Sequence, residues 1–388
     1  MSQRTSNDVD RRGGRRAEIL DAATELFHAR GFAGVTVDQL AASLGMSGPA
    51  LYRHFRGKQD LLRAVVDDAV TRLEAAILGR DTADRFVSEL SRVWSDPSHL
   101  GSIIEREIVH LEESERVAFA ARIDRVFDTI ADAIDDDDTD RRAAAFLARA
   151  MVAVASSSSF ARIDEAGSSG EDAIGRSLRV LAFGGGLTPA DLVDPVGRVR
   201  VPVRDWLPRE EAILAALPGI TFERGGIGAV TLEAVGSSAG ISGPSVYNYF
   251  DSKAALWTTW LARVSNWSIS SLQQSLAYSE GPHEVMRRAL EGYAEMTRRV
   301  PAFAMPVDPS DPRLSEVTRS EIEEFSADYL GLWQVCAQTA RPELDAHEAE
   351  ALLLASHAVI NRARTLSPVS AIPSDAALSR LGLAVFSA

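Results

Sequence analysis

The sequence predicts an all-α chain of two tandem units, each a three-helix helix-turn-helix domain followed by a helical body. Three observations lead there. The stretch Leu44–Leu61 (LGMSGPALYRHFRGKQDL) recurs without a gap at Ala239–Leu256 (AGISGPSVYNYFDSKAAL), 195 residues later. Gly45 falls on Gly240, Ser47-Gly48-Pro49 on Ser242-Gly243-Pro244, Tyr52 on Tyr247, Phe55 on Phe250 and Lys58 on Lys253. The offset is close to half of the 388 residues, so a duplicated unit accounts for the whole length. Finally, apolar residues recur at helical spacing through most of the chain.

The first element is a polar, arginine-rich N-terminus, 1–14, with too little apolar content to fold alone and expected to be a mobile basic arm. From Arg15 to Arg30 the positions Ile19, Ala22, Ala23, Leu26 and Phe27 give one buried helix face, and Gly31 supplies the stop. Thr36 caps a second helix, with Gln39 at the capping-box position. Gly45-Met46 makes a tight turn, and Ser47 is the expected cap of a third helix, whose first turn tolerates Pro49. Leu51 and Phe55 face inward there, leaving Tyr52, Arg53 and His54 at the surface. Two short helices joined by a glycine turn behind a longer one form a helix-turn-helix.

Charge distribution supports a nucleic-acid role for this domain despite the overall net charge of −14. From Met1 to Lys58 nine basic side chains stand against six acidic ones. Tyr52, His54 and Lys58 are suitable donors to phosphate oxygens, with Arg15 and Arg16 on the first helix.

The residues ILDAATELFHARGF, VDQLAASLGMS and LYRHFRGKQDLL resemble the N-terminal domain of TetR-family transcriptional regulators, over about Arg16–Leu62. That resemblance implies an all-helical body that binds a small ligand and dimerises. It places Tyr52, His54 and Lys58 mainly on phosphate, and implies that Ile103–Leu111, with Arg106 and His110, lines the ligand pocket or couples it to the DNA-binding domain. It also assigns the helices within Arg141–Phe160 and Glu171–Phe183 to a four-helix dimer interface. Two-repeat regulators of this type resemble actinobacterial controllers of lipid and steroid catabolism.

The units divide as 1–14 arm, 15–60 first helix-turn-helix, 61–186 first regulatory body, 187–207 proline-spaced linker, 208–255 second, diverged helix-turn-helix and 256–388 second body. In the second copy, Pro218-Gly219 predicts a kinked or broken first helix, because a mid-helix proline costs about 3 kcal/mol. Thr231 repeats the capping threonine. Asn248 replaces Arg53, Tyr249 replaces His54, Asp251 replaces Arg56, and Glu210-Glu211 occupy the places of Arg15-Arg16 at the 195 offset. Weaker phosphate binding is expected of the second copy.

The candidate DNA-contacting residues are therefore Arg15, Arg16, Thr36, Ser47, Gly48, Pro49, Ala50, Tyr52, Arg53, His54 and Lys58 in the first head. Thr231, Ser242, Gly243, Pro244, Ser245, Tyr247, Asn248, Tyr249 and Lys253 are their counterparts in the second. Arg53 suits guanine O6/N7 and Asn248 suits adenine N6/N7. Trp257, Trp260, Phe325, Tyr329 and Trp333 are candidates, with Arg106 and His110, for a pocket that takes a small apolar effector; ordinary core packing is the alternative for each.

The expected partners are double-stranded DNA, such an effector, and the other half of the same chain as an internal pseudo-dimer, with a further homodimer open. Two alternatives compete with a repressor reading an asymmetric operator. In one, only the first head binds DNA and the second is an interaction module. The other, a helical enzyme, lacks a Gly-rich phosphate loop, a metal-ligand cluster or a nucleophile motif in the sequence, so neither cofactor nor metal is expected. Asp135–Asp138 reads as a solvated loop. The single cysteine, Cys336, excludes an internal disulfide, and no apolar run reaches membrane-spanning length, so a soluble, cytoplasmic protein is expected.

Overall fold

Local sequence signals start and stop the helices of the first head. Here α1 runs over Ser2–Gly34, α2 over Val37–Ser43, α3 over Gly48–Leu51 and α4 over Lys58–Ile77. These come from a computed structural model, which describes residues 2–78, 82–95, 101, 103–135, 140–157, 168–184, 186–193, 207–224, 226–300, 304, 314–365 and 372–388. The residues read as a mobile arm continue α1 instead, with their backbone in the helical hydrogen-bonding path. Gly31, at φ 67° and ψ 155°, breaks the helical path where the stop was expected. Thr36 and Gln39 form the reciprocal capping box: Thr36 Oγ1 accepts from the Gln39 amide at 3.2 Å and Gln39 Oε1 from the Thr36 amide at 2.9 Å. Ser47 stands at the N-cap of α3 but its hydroxyl makes no capping bond, a correction to the expected cap.

The first body continues with α5 (Ala83–Ser95), a π turn (Ile103–Glu107), α6 (Glu113–Ile134), α7 (Arg141–Ser157) and α8 (Ser168–Phe183). In the second unit, α9 spans Arg209–Arg224, α10 Leu232–Ala239, α11 Lys253–Tyr278, α12 Pro282–Arg299, α13 Glu316–Ala340, α14 Ala346–Thr365 and α15 Asp375–Phe386. A two-residue antiparallel pairing, β1 (Leu192–Val193) with β2 (Ile372–Pro373), is the strand content of the described residues. The carboxylates at 136–138, the linker residues 194–206 and the prolines Pro301, Pro306, Pro309 and Pro312 fall outside them.

The expected break at Pro218 does not occur: α9 is one helix with Pro218 inside it. Pro218 leaves the Leu214 carbonyl without its usual amide partner, at about 3 kcal/mol. Burial of Ile213, Leu214, Leu217 and Ile220 offsets this, at about 1.5–3 kcal/mol for each side chain.

The two units share one helical junction. Helices α7 and α8 pack on α14, and α8 also packs on α15. Alanines at 144, 148, 155, 351 and 355, all fully buried, allow close helix approach. Polar ties close the edge. Arg176 Nε donates to the Ala388 carbonyl at 2.9 Å and pairs with Glu348, and Arg380 donates to Asp191 at 2.6 Å. The Arg380 hydrogen bond, aided by the Thr188 amide, pulls the Asp191 carboxyl down to about 2.

One continuous apolar core runs from the first head through both bodies. The second head has its own, built from Ile213, Leu217, Val235, Val246 and Phe250 against Trp257, Trp260 and Val264 of α11 and Ile322 of α13.

Candidate nucleic-acid interface

Both heads are folded around the same positive-φ glycine. Gly45 (φ 62°) and Gly240 (φ 73°) turn the chain between the second and third helices, a conformation a Cβ would oppose. Leu51 and Phe55 are buried below the first turn, as Val246 and Phe250 are below the second. This leaves Tyr52 53% and Tyr247 52% exposed at matching positions. Ser47, Pro49 and Arg53 are exposed beside Tyr52, with Gly48, Ala50 and His54 half-buried. In the second head Ser242, Pro244, Asn248 and Tyr249 are exposed, Ser245 is half-buried and Gly243 is buried.

The third element differs between heads. Residues 48–51 form an α turn, whereas Gly243–Asn248 is a 3-10 helix. Ser242 and Ser245 hydroxyls bond each other at 2.7 Å rather than capping it. Thr36 and Thr231 each accept from a main-chain amide, at Gln39 and Ala234.

Tight backbone packing accompanies this difference. Gly236 replaces the buried Ala41, and a Cβ on it would lie 2.7 Å from the Ser242 carbonyl carbon and 2.8 Å from the Gly243 nitrogen. Gly236→Ala gains about 1 kcal/mol of helix propensity, but overpacking against main chain costs about 1–3 kcal/mol. We expect faster amide exchange confined to the second head. A rise in its protection would show that the main chain at Ser242-Gly243 shifts to admit the methyl and that the helix gain prevails.

The arginines of α1 act as braces. Arg15 Nη2 donates to the Leu44 carbonyl at 2.9 Å and pairs with Glu18, while Arg16 Nη1 donates to the His54 carbonyl at 3.3 Å. The Arg16 guanidinium also lies 4.2 Å over the Phe55 ring. In the second head Arg209 Nη1 donates to the Ala239 carbonyl at 2.9 Å, the contact Arg15 makes in the first. The repeat offset is therefore 194 in the first helix and 195 from the second onward.

This one-residue shift corrects the sequence alignment. Ile213, Leu217 and Thr221, all buried, take the places of Ile19, Ala23 and Phe27, while Phe222 is half-buried. Arg209 stands for Arg15, and Glu210 alone reverses a brace, that of Arg16. Glu211 is held by Arg263 of α11 at 2.7 Å. A repeated guanidinium-to-carbonyl contact is invisible to identity matching, so the signal lay in the buried face rather than in the charges.

Lys58 is not directed away from the protein. Its Nζ lies 4.1 Å over the Phe32 ring, and burial lowers its pKa while Glu107 opposes that shift. Lys253 is half-buried at the start of α11.

The candidate pocket residues separate into three places. Trp257 and Trp260, with ring centroids 5.6 Å apart, belong to the second head's core. His110 packs its ring 5.5 Å from Phe32, and Gln59 donates to its carbonyl at 2.8 Å. The Arg106 side chain is outside the described residues. Phe325, Tyr329 and Trp333 do come together, as a ladder with spacings of 5.4 and 6.2 Å.

Two residues missed in the sequence complete the ladder. His357 stacks on Tyr293 at 4.3 Å and meets Trp333 edge-on at 4.4 Å, and Tyr293 donates to Asn361 Oδ1 at 2.9 Å. The available signal was a lone histidine inside the apolar run ALLLASHAVI, with Asn361 four residues on. Burial depresses the His357 pKa to about 3, and its Nε2 has no hydrogen-bond partner among the described residues. No group of three or more His, Cys, Asp or Glu among the described residues is placed to hold a metal ion. No described helix is long and apolar enough to cross a membrane.

Two helix-turn-helix domains on one helical body define the architecture. The family model described as bacterial regulatory proteins, tetR family, matches residues 19–65 and 221–257. The chain thus carries two tandem tetR-family N-terminal domains. It is 29% identical over 135 residues to the HTH-type transcriptional repressor KstR2 of Rhodococcus jostii (strain RHA1), covering 33% of this chain and 66% of that protein. It is 38% identical over 66 residues to the HTH-type transcriptional regulator SrpR of Pseudomonas putida, covering 17% and 30%. It is also 38% identical over 63 residues to the HTH-type transcriptional activator FasR of Mycolicibacterium smegmatis (strain ATCC 700084 / mc(2)155), covering 16% and 29%. The chain therefore spans less than two thirds of the length of these relatives. Among solved structures, it resembles the TetR family transcriptional regulator PfmR from Thermus thermophilus, at 22% identity and TM-score 0.37, covering 42% of this chain and 96% of that one.

Proposed function

We propose that this chain is a ligand-responsive transcriptional repressor that reads an asymmetric operator with two unequal heads. The carrying observation is the pairing of two similarly built heads on bodies joined through α7, α8, α14 and α15. A single chain then does what two identical subunits do for a palindrome, setting recognition elements into major grooves about 34–36 Å apart.

Arg53 and Asn248, both exposed on the reading elements, supply the difference in base preference. Tyr52, His54 and Lys58 position the first head on phosphate, and Tyr247 and Lys253 the second. The ladder of Phe325, Tyr329, Trp333, Tyr293 and His357 favours a flat apolar effector with one hydrogen-bonding group. Such an effector lowers operator affinity by as much as it prefers the body of the non-binding state.

The test is footprinting on the DNA flanking its own gene, with the complex mass measured alongside. One chain is expected on one site, and replacing either half-site by a copy of the other should weaken binding about tenfold or more, at about 1–3 kcal/mol for each lost base contact. A symmetrised site bound as tightly as the native one would sink the two-head reading. Glu210 in Arg16's place favours a second reading, in which the second head only completes the assembly. It predicts protection of a single half-site.

A further inference from the structure

Of the 41 basic Lys and Arg side chains only two are lysine, Lys58 and Lys253. They open α4 and α11, at the same position of the two heads. Elsewhere the chain uses guanidinium, whose planar fork binds a fixed partner. An ammonium on a flexible stem changes partners more readily.

In the first head that ammonium already has an internal environment. Gly31 breaks α1 and leaves the Phe32 amide free of the helix ladder; Glu107 Oε2 accepts it at 2.9 Å. Glu107 is only 2% exposed and ends the π turn Ile103–Glu107 of the body. A buried carboxylate needs a countercharge as well as hydrogen bonds. Lys58 interacts with it electrostatically while resting on the Phe32 face. The same ring meets His110, whose carbonyl takes the Gln59 side chain.

We propose that Glu107 is a positioning residue for the first head, holding the Lys58 ammonium against the body so that DNA phosphate must compete for it. The proposal rests on reading the first head as a DNA binder. While the ammonium is seated over Phe32 and drawn by Glu107, a phosphate outside the domain competes with both for it. Operator affinity in this head is therefore linked to where the π turn sits relative to α1 and α4. Past the Gly31 break the 195 offset already holds, so the second head has Ile227 where Phe32 stands, an aliphatic side chain in place of the ring.

Glu107→Gln tests this, because the amide oxygen still accepts from Phe32 while the charge is gone. Two measurements on the full chain are needed. In the absence of DNA, amine-reactive labelling reads Lys58 and Lys253 separately by peptide mass, since no other lysine exists. Glu107→Gln should raise the Lys58 rate and leave Lys253 unchanged. With a duplex carrying the footprinted site, the variant should bind about fivefold tighter, with a salt slope steeper by about 0.9.

Phe32→Leu, which keeps Glu107 and removes the ring face, should shift both readouts the same way. Should Glu107→Gln fold poorly, this variant carries the test. Unchanged Lys58 labelling in both variants overturns the positioning role whatever the DNA result. Raised labelling with unchanged affinity and salt slope overturns the competition with phosphate. If labelling rises while wild type and variants all fail to protect DNA, the reading of the first head as a DNA binder is what fails.

Discussion

Acidification from pH 6.5 to 4.5 should destabilise the protein by about 2 kcal/mol through His357 alone. The imidazole is buried between Tyr293 and Trp333, and burial depresses its pKa to about 3 from an ordinary 6.5. In that interval the unfolded chain binds a proton that the folded chain refuses. Stability therefore rises with pH across this window, is complete above about pH 6.5, and falls by about 1.4 kcal/mol per unit as pH drops toward 3.

Carboxylates held low by hydrogen bonds, such as Asp191 beside Arg380, lose their contribution below about pH 4, so the two windows separate. Urea midpoints at pH 7, 5.5 and 4.5 for wild type and His357→Leu measure the difference. The variant should lose most of the slope above pH 4.5. Parallel slopes would mean that His357 is protonated in the folded state, which requires an acceptor for its second N–H. The same helix, α14, packs against α7 and α8, so loosening it by acid should also weaken the contact between units.

Most of the fold was readable because its signals are local. A capping box, a positive-φ glycine and the buried pair Leu51 and Phe55 are set by residues a few positions apart, and the repeat supplied a second copy of each. The charges misled for a physical reason. At a fixed offset Glu210-Glu211 fall on Arg15-Arg16, yet the buried face puts Arg209 in Arg15's role, because the core determines helix rotation and the surface follows.

Pro218 misled similarly, since helix propensity omits the burial that outweighs it. The aromatic grouping failed because periodicity shows that a residue faces inward without showing which core it enters. Trp257 and Trp260 lie on the part of α11 that closes the second head, whereas Tyr329 and Trp333 on α13 face α12 and α14.

That division of cores yields the largest expected effect on DNA recognition. Phe250 is 6% exposed in the core private to the second head, and Phe55 is 1% exposed in the core the first head shares with the bodies. Truncating either to alanine costs about 3–5 kcal/mol. The consequences should differ in extent. Phe250→Ala draws on a small core and should unfold the second head alone, giving an early, shallow transition ahead of an unchanged main one.

Phe55→Ala weakens a domain whose buried residues are continuous with Leu61, Leu62 and Val65 of α4, so its loss should lower the main transition as well. On DNA, Phe250→Ala should shrink the footprint to the first half-site and reduce affinity to that of one head. Amide exchange in Leu232–Ala239 verifies that the second head has opened. A full-length footprint retained after that opening would remove the second head from DNA recognition and leave it as an interaction module.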